Sequence, residues 1–536
     1  YNASSNNLVQ NYLDENSLPI ESFSVWNNFW DAGIANQHNQ QLVLNYDLPI
    51  NKIPLLSFVK STYSYTSNYN WNRNPYANVP IDGEIMQIGN IIQNANSHKL
   101  NTDLSMDLFY KYLGIGVKKN KKAKPAAPPK PGEKITAKPV VNTNSQNKLA
   151  KVFIDLLTSV KKIQINYNQT SGTVLPGYLP GLGFWGTTRP SLGFVLGSQS
   201  DIRYEAAKNG WLTGFQGFNQ NYTQVVDKQL NFTAQMELFK DFKIDVSADT
   251  KLAQNYSEQY DVSSDGTYNP RSPYNFGNYN ISTILIKTAF SQSDENFSQA
   301  FQDFRENRLV IANRLAIANG IDLSNPSSID AEGYPVGYGK NSQQVLLPSF
   351  LAAYSGQNAN KVSTNDFKSI PLPNWVIKYT GLMNNKWFKD KFKRFSIQHG
   401  YRSSYGINAF RSNLNPLPTD QNGNFFAKRI ISNVNLAEQF NPLAKVEFET
   451  KSALRFSAEI KRDRTLNLSF DNNLLTEVKG NDYTLGLGYR IKNVTFNSAL
   501  AGNTTGVLKS DINIKADFTI RKNNTIVRYL DYDNNQ

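Results

Sequence analysis

Few residues of this chain have the types and spacing that catalysis or cofactor binding requires. Segment 181–186 carries three glycines spaced as in a dinucleotide-binding loop, but Thr187 and Pro190 follow where a phosphate-binding helix should begin. The carboxylates of Asp245 and Asp249 fall on the polar side of an alternating segment, where acidic residues need no catalytic role. The sequence therefore offers no catalytic residue, and we expect that the protein is not an enzyme.

Metal and cofactor chemistry is also not indicated. The chain contains no cysteine, which excludes disulfides, thiolate metal sites and cysteine nucleophiles. Its three histidines, His38, His98 and His399, are far apart in the sequence. We therefore expect neither a metal site nor a cofactor.

The basic charge of the chain is concentrated in one segment. Residues 118–138 hold eight Lys and one Glu, which contributes +7 to a net charge of +13. Because this Lys/Pro/Ala-rich segment has almost no large apolar side chain, we predict a disordered loop over 118–147. With no recognisable nucleic-acid-binding motif, the charge does not indicate a nucleic-acid partner.

The dominant pattern is a strict alternation of apolar and polar residues over segments of roughly ten residues. Leu230 and Phe232, for example, alternate with Gln229, Asn231 and Thr233. The sequence contains no apolar run of about 18 residues, so helical membrane spans are not expected. Strands that are apolar on only one side are consistent with the mean hydropathy of −0.49. The pattern predicts an all-β fold, an antiparallel transmembrane β-barrel. The residues predicted to face lipid are Leu100, Leu104, Met106, Leu108, Leu230, Phe232, Met236, Ile512, Ile514 and Phe518.

Two kinds of connection are predicted between the strands. Short turns are expected at 49–54, 239–242, 461–464 and 491–493, and long loops at 256–280 and 413–424. Short turns on one rim and long loops on the other are typical of outer-membrane barrels, in which the short side is periplasmic.

One helical insertion interrupts the strand pattern. Within 293–319, helical spacing relates a set of mostly aromatic side chains that would pack on the barrel rim or contact a partner: Phe297, Phe301, Phe304, Ile311 and Leu315. Segment 345–354 fits either a strand or a helix. We divide the chain into barrel strands (1–117), the disordered loop (118–147), barrel strands and loops (148–290), the helical and loop insertion (291–370) and barrel strands (371–536).

Several segments resemble one known family. Residues 46–56, 164–178, 301–315 and 399–405 are similar to the SprA/Sov family, the outer-membrane translocon of the type IX secretion and gliding apparatus of Bacteroidota. The resemblance implies that the chain is the C-terminal part of a longer polypeptide and an arc of a very large barrel. The last residues, 532–536, lack the aromatic end of a final barrel strand, so further strands are expected beyond them.

The function implied by this resemblance is export of folded cargo proteins through an outer-membrane channel. Its implied partners are the cargo, a PorV-like outer-membrane protein, a periplasmic plug protein and outer-membrane lipid. The alternative is a TonB-dependent nutrient transporter, which needs a plug domain and an energy-coupling box that this sequence does not show. A soluble all-β surface adhesin is a third class.

Overall fold

The protein is built around one large antiparallel sheet. The computed structural model describes residues 1–8, 18, 33–74, 78–81, 84–115, 158–182, 189–415, 417–498 and 506–531. The predicted all-β antiparallel architecture is confirmed. The strands are β1 Asn2–Leu8, β2 Ile34–Leu48, β3 Val59–Asn72, β4 Asn78–Ile81, β5 Glu84–Gln87, β6 Asn90–Ser105, β7 Val160–Tyr178, β8 Tyr222–Phe239, β9 Phe242–Val262, β10 Tyr268–Ser282, β11 Asn374–Tyr379, β12 Phe392–Ser412, β13 Arg429–Ile431, β14 Asn433–Thr450, β15 Leu454–Ser469, β16 Leu474–Ser498 and β17 Gly506–Tyr529.

Fifteen strands form this sheet, in the order β1-β2-β3-β6-β7-β8-β9-β10-β12-β14-β15-β16-β17, with β11 and β13 off this path. β4 and β5 form a separate hairpin. In the described part of the chain, β1 and β17 do not pair with each other. The helices are α1 Met106–Tyr112, α2 Leu192–Val195, α3 Arg203–Lys208, α4 Gln299–Ala318, α5 Gln343–Ser355 and α6 Lys386–Lys391.

One strand position of the sheet is interrupted halfway along its length. β10 and β11 both lie antiparallel to β9 and both pair with β12, so they are two halves of one strand. Residues 283–373 leave the sheet between them. The two ends of this excursion are held together, because the Leu372 amide donates to the Ser282 carbonyl at 3.0 Å and the Ser282 hydroxyl donates to the Leu372 carbonyl at 2.7 Å.

Two insertions pack against the same face of the sheet. The first insertion, residues 179–221, carries α2 and α3, and Phe194, Ile202 and Ala206 are buried against β3, β6, β7, β8 and β9. The second insertion, residues 283–373, carries α4 and α5 and is buried against β10, β12, β14, β15 and β16. Segment 345–354, which the sequence left open, lies in α5, and every residue of that segment is buried.

The predicted connections are confirmed in part. Residues 49–56 form two 3₁₀ turns between β2 and β3, and 239–242 is the β8–β9 turn. Three predictions were wrong. Residues 461–464 lie inside β15, 491–493 form a bulge in β16 with Asn493 at φ 57°, and 256–280 belongs almost entirely to β9 and β10. Runs of polar residues in these strands resemble turns in the sequence. They lie in strands because neighbouring strands provide partners for the polar side chains. The predicted disordered loop 118–147 lies outside the described residues, as does most of segment 181–186.

Gly197 fixes the first insertion on the sheet. Its φ is +92°, and an added Cβ would lie 2.6 Å from Ser67 Cβ. We expect Gly197→Ala to lower the free energy of unfolding by about 1–3 kcal/mol, because backbone strain and a clash act together. Gly193→Ala, in α2, is the control because its Cβ would meet nothing closer than 3.5 Å. Chemical denaturation measures both variants, and equal stabilities would contradict the expectation.

Candidate membrane interface

One face of the sheet carries the apolar residues of the alternating segments, and we call it the apolar face. Residues paired across an antiparallel ladder share a face, so the register connects distant strands. The apolar face holds eight of the ten residues predicted to face lipid: Leu100, Leu104, Leu230, Phe232, Met236, Ile512, Ile514 and Phe518. Several side chains of this face are exposed, with Phe518 at 65% and Leu487 at 55%.

Met106 and Leu108 were wrongly assigned to a strand. β6 ends at Ser105, and both residues lie in α1. The reason is that the ladder partner of β6 ends there, since Leu104 pairs with Val59, the first residue of β3. The chain then turns, and the ring of Phe109 packs 4.8 Å from that of Phe58.

The opposite face of the sheet, the polar face, is lined by Asp, Asn, Gln, Lys, Ser and Thr. Asp103 accepts a hydrogen bond from Gln164 at 2.7 Å and pairs with Lys162 at 3.0 Å. Arg402, Lys243 and Asp245 are exposed on this face. Both insertions pack on the apolar face, so neither covers these polar side chains.

The apolar residues of this face, exposed on some strands and buried on others, form a band with a straight upper edge. Its uppermost residue is Leu42 on β2, Leu230 on β8 and Tyr483 on β16. On each of eleven strands, the residue two positions above the uppermost band residue, on the same face, is polar. These residues are Gln40, Ser67, His98, Gln169, Lys228, Thr250, Ser403, Glu438, Arg462, Asn481 and Lys522.

This edge is inclined to the rows of paired residues. One row runs from β8 to β16 through Leu230, Thr250, Ile281, Tyr405, Leu436, Leu466 and Glu477. After six steps from one strand to the next, this row reaches β16 at Glu477, which lies six residues above Tyr483. In the other direction it reaches β2 at Tyr46, four residues below Leu42, after four steps. A drift of one residue, about 3.3 Å, per strand spacing of about 4.8 Å is an inclination of about 35°.

The lower edge follows the same inclination. A second row joins Phe239, Phe242, Tyr379, Ile397, Val446, Ala458 and Leu485. On β16 the uninterrupted apolar alternation ends at Ile491, six residues below Leu485, where a bulge precedes Val494 and Phe496. Measured to this bulge on β16 and to Phe239 on β8, the two edges are parallel, and the band spans nine to ten residues of each strand, or about 22–24 Å along the normal to its edges.

Aromatic side chains collect at the lower edge. The rings of Phe239 and Phe242 stack at 4.7 Å, and Phe392 lies 4.9 Å from Phe448. Trp387 of α6 is 58% exposed next to this group. Amphipathic aromatic rings of this kind concentrate at boundaries between apolar and aqueous phases.

The second insertion leaves the sheet at the upper edge of the band. Between β9, where the edge lies at Ala248, and β12, where it lies at Tyr401, the interrupted strand breaks after Ser282. The five residues that were predicted to pack on a rim or a partner lie above this edge, four of them in α4 and Phe297 just before it. Phe301, Phe304 and Ile311 are buried against the sheet and α5, Leu315 packs partly buried beside them, and Phe297 is 36% exposed.

Buried charges attach the second insertion to the sheet. Glu438 pairs with Arg464 at 3.0 Å, and Glu477 pairs with Arg528 at 3.2 Å; all four residues are at least nine-tenths buried. Arg464 also donates to the Thr288 carbonyl at 2.8 Å. The sequence analysis missed these residues, although charges on the apolar parity of β14–β17 were the available signal.

A similar group attaches the first insertion. Arg203 of α3 forms ion pairs with Glu258 on β9 and with Asp201, and its guanidinium lies 4.5 Å from the ring centroid of Tyr222. Burial alone would raise the pKa of Asp201, but hydrogen bonds from Arg203 hold that pKa below its usual value.

Among the described residues, no three His, Asp or Glu side chains are grouped so that they could hold a metal ion. His38, His98 and His399 lie on three different strands, and each is hydrogen bonded, to Ser5, Tyr63 and the Leu443 carbonyl respectively. Across the same residues, no helix is both long and apolar enough to cross a membrane. A scan of protein-family models and a search of curated proteins found no match to the chain.

Proposed function

We propose that the sheet is part of a transmembrane β-barrel in the outer membrane of a Gram-negative bacterium, with the apolar face toward lipid. The inclined band is the observation that carries this proposal. Barrel strands are tilted about 35–45° from the membrane normal and present an apolar band about 25 Å tall. A band with two parallel edges, inclined about 35° to the ladder rows, agrees with both values, whereas a soluble sheet has no reason to maintain a straight edge over eleven strands.

The orientation is inferred from most of the connections; the exception is 106–159, which joins β6 to β7 on the side of the lower edge. On the side of the lower edge, β8–β9 and β14–β15 are joined by short turns. On the side of the upper edge lie both insertions and the 413–428 connection. Because outer-membrane barrels have short periplasmic turns and longer extracellular loops, the insertions belong on the cell surface, packed outside the barrel wall.

We further propose that the barrel conducts folded proteins to the cell surface. The polar face would line the lumen with hydrated Asp, Asn, Lys, Ser and Thr side chains, which suit passage of a folded surface without tight binding. In the described ranges, the inserted helices lie on the lipid side, so the lumen side is left open. The resemblance to the SprA/Sov family supplies the partners of this proposal: secreted cargo, a PorV-like protein and a periplasmic plug.

Depletion of the protein tests this function. Folded cargo should accumulate in the periplasm, because the only route through the outer membrane is lost, while uptake of siderophores and glycans continues. Cell fractionation with immunoblotting measures the cargo, and radiolabelled ligands measure uptake. Re-expression of the unaltered protein is the control and should restore secretion.

Two other outcomes would contradict the proposal. Intact secretion with loss of uptake of a single nutrient would favour a TonB-dependent transporter. Recovery of the protein in the soluble fraction without detergent would exclude the membrane placement itself.

A further inference from the structure

Two cations lie on the apolar face directly above the upper edge of the band. Arg462 on β15 and Lys522 on β17 both pair with Asn481 on β16, so they stand on either side of it, about 10 Å apart between backbones. Immediately below them, the band begins with three exposed side chains: Ile460, Tyr483 and Ile520.

These two cations differ from their neighbours in having no anionic partner. Among the described residues, the side chains of Arg462 and Lys522 form neither a hydrogen bond nor an ion pair. By contrast, Arg464, Arg528 and Lys479 on the same face are bound to the carboxylates of Glu438 and Glu477. Both nearby acidic groups are therefore neutralised, and the positive charge of Arg462 and Lys522 is uncompensated.

A residue of the second insertion, Phe290, packs beside Arg462. The guanidinium of Arg462 lies 4.7 Å from the ring centroid of Phe290, and that ring lies 5.3 Å from Phe440. Phe290 is 55% exposed. Arg462 thus packs against an aromatic side chain, and its guanidinium donors form no hydrogen bond to a described residue.

We propose that Arg462 and Lys522 bind the phosphate of an anionic lipid, whose acyl chains pass the row of Ile460, Tyr483 and Ile520 and continue along the band below it. Two uncompensated cations above an exposed apolar strip complement an amphiphile with a negative headgroup. The guanidinium fork binds phosphate oxygens in pairs, and the ammonium adds a point charge. This inference rests on the membrane placement proposed above.

The test is lipid selectivity of the purified protein in nanodiscs of phosphatidylcholine. Spin-labelled phosphatidylglycerol and spin-labelled phosphatidylcholine are compared by electron paramagnetic resonance, which reports the lipid immobilised on the protein. We expect the anionic lipid to be preferred, and we expect R462Q/K522Q to lower its relative association constant roughly 25-fold, since each of the two cations near a membrane surface contributes about fivefold.

Two further variants control for charge and fold. R402Q/K243Q removes the same charges from the polar face and should keep the preference, as should R462K/K522R, which retains both cations. An unchanged preference in R462Q/K522Q, or an equal loss in R402Q/K243Q, would overturn the lipid site while leaving the barrel intact. Absence of any immobilised lipid, anionic or neutral, would instead overturn the membrane placement and this inference with it.

Discussion

The Phe518→Arg substitution is expected to reduce the stability of the membrane-inserted protein by about 2–4 kcal/mol, the cost of an arginine near the bilayer midplane. Phe518 is 65% exposed on β17, one row above the centre of the band, and among the described residues its neighbours on the apolar face, Leu485, Ala516 and Ile520, carry no charge. Band-shift electrophoresis of unheated samples and urea unfolding in phospholipid vesicles measure assembly and stability.

The matched control for this prediction is the adjacent residue. Thr519 lies at the same depth on the polar face, where its hydroxyl is 2.9 Å from that of Thr484. Thr519→Arg should cost less than about 1 kcal/mol, because its side chain stays in water. In a soluble sheet, arginine at either exposed position would be tolerated, so equal effects would reject the membrane interface.

Arg464→Met is expected to destabilise the protein by about 3–5 kcal/mol, because it leaves the Glu438 carboxylate buried with no cation. The variant also loses both hydrogen bonds from the guanidinium to Thr288, at 2.8 and 2.9 Å. The second insertion should therefore detach from the sheet before the strands separate. Limited proteolysis, with cleavage expected within 283–373, reports this detachment.

Two variants distinguish a buried charge from a general loss of packing. E438Q/R464M removes both charges and should recover much of the stability, since no unpaired ion remains. Lys461→Met removes a cation three residues before Arg464 in the sequence, paired with Glu459 at 3.5 Å and partly exposed, and should cost less than about 1 kcal/mol. If E438Q/R464M were as unstable as Arg464→Met, the electrostatic explanation would fail.

The faces of the strands were predictable from the sequence because alternation is a local property. Leu230 and Phe232 share a face whatever their neighbours are, since side chains alternate along every strand. The helix α4 was also predictable, because Phe301, Phe304 and Ile311 recur at helical spacing before the structure places them in the core.

Features that depend on register were not predictable. Glu438 and Arg464 pair only because β14 and β15 align at those residues, and the sequence does not state that alignment. The inclination of the band is hidden for the same reason. Lys461–Arg464 resembled a turn because four charged or polar residues in succession normally end a strand, but here Glu438 and the second insertion satisfy Arg464.

The interrupted strand has a consequence for the order of folding. β12 needs both β10 and β11 as partners, and 91 residues, 283–373, separate those halves. Closing a flexible loop of that length costs about 4 kcal/mol in chain entropy. A second insertion that has already folded brings Ser282 and Leu372 within hydrogen-bonding distance and removes most of that cost. The helices of the second insertion should therefore form before the sheet beside them is completed, and this strand position should close late. Variants that slow the folding of α4 or α5 should then accumulate with an incomplete sheet.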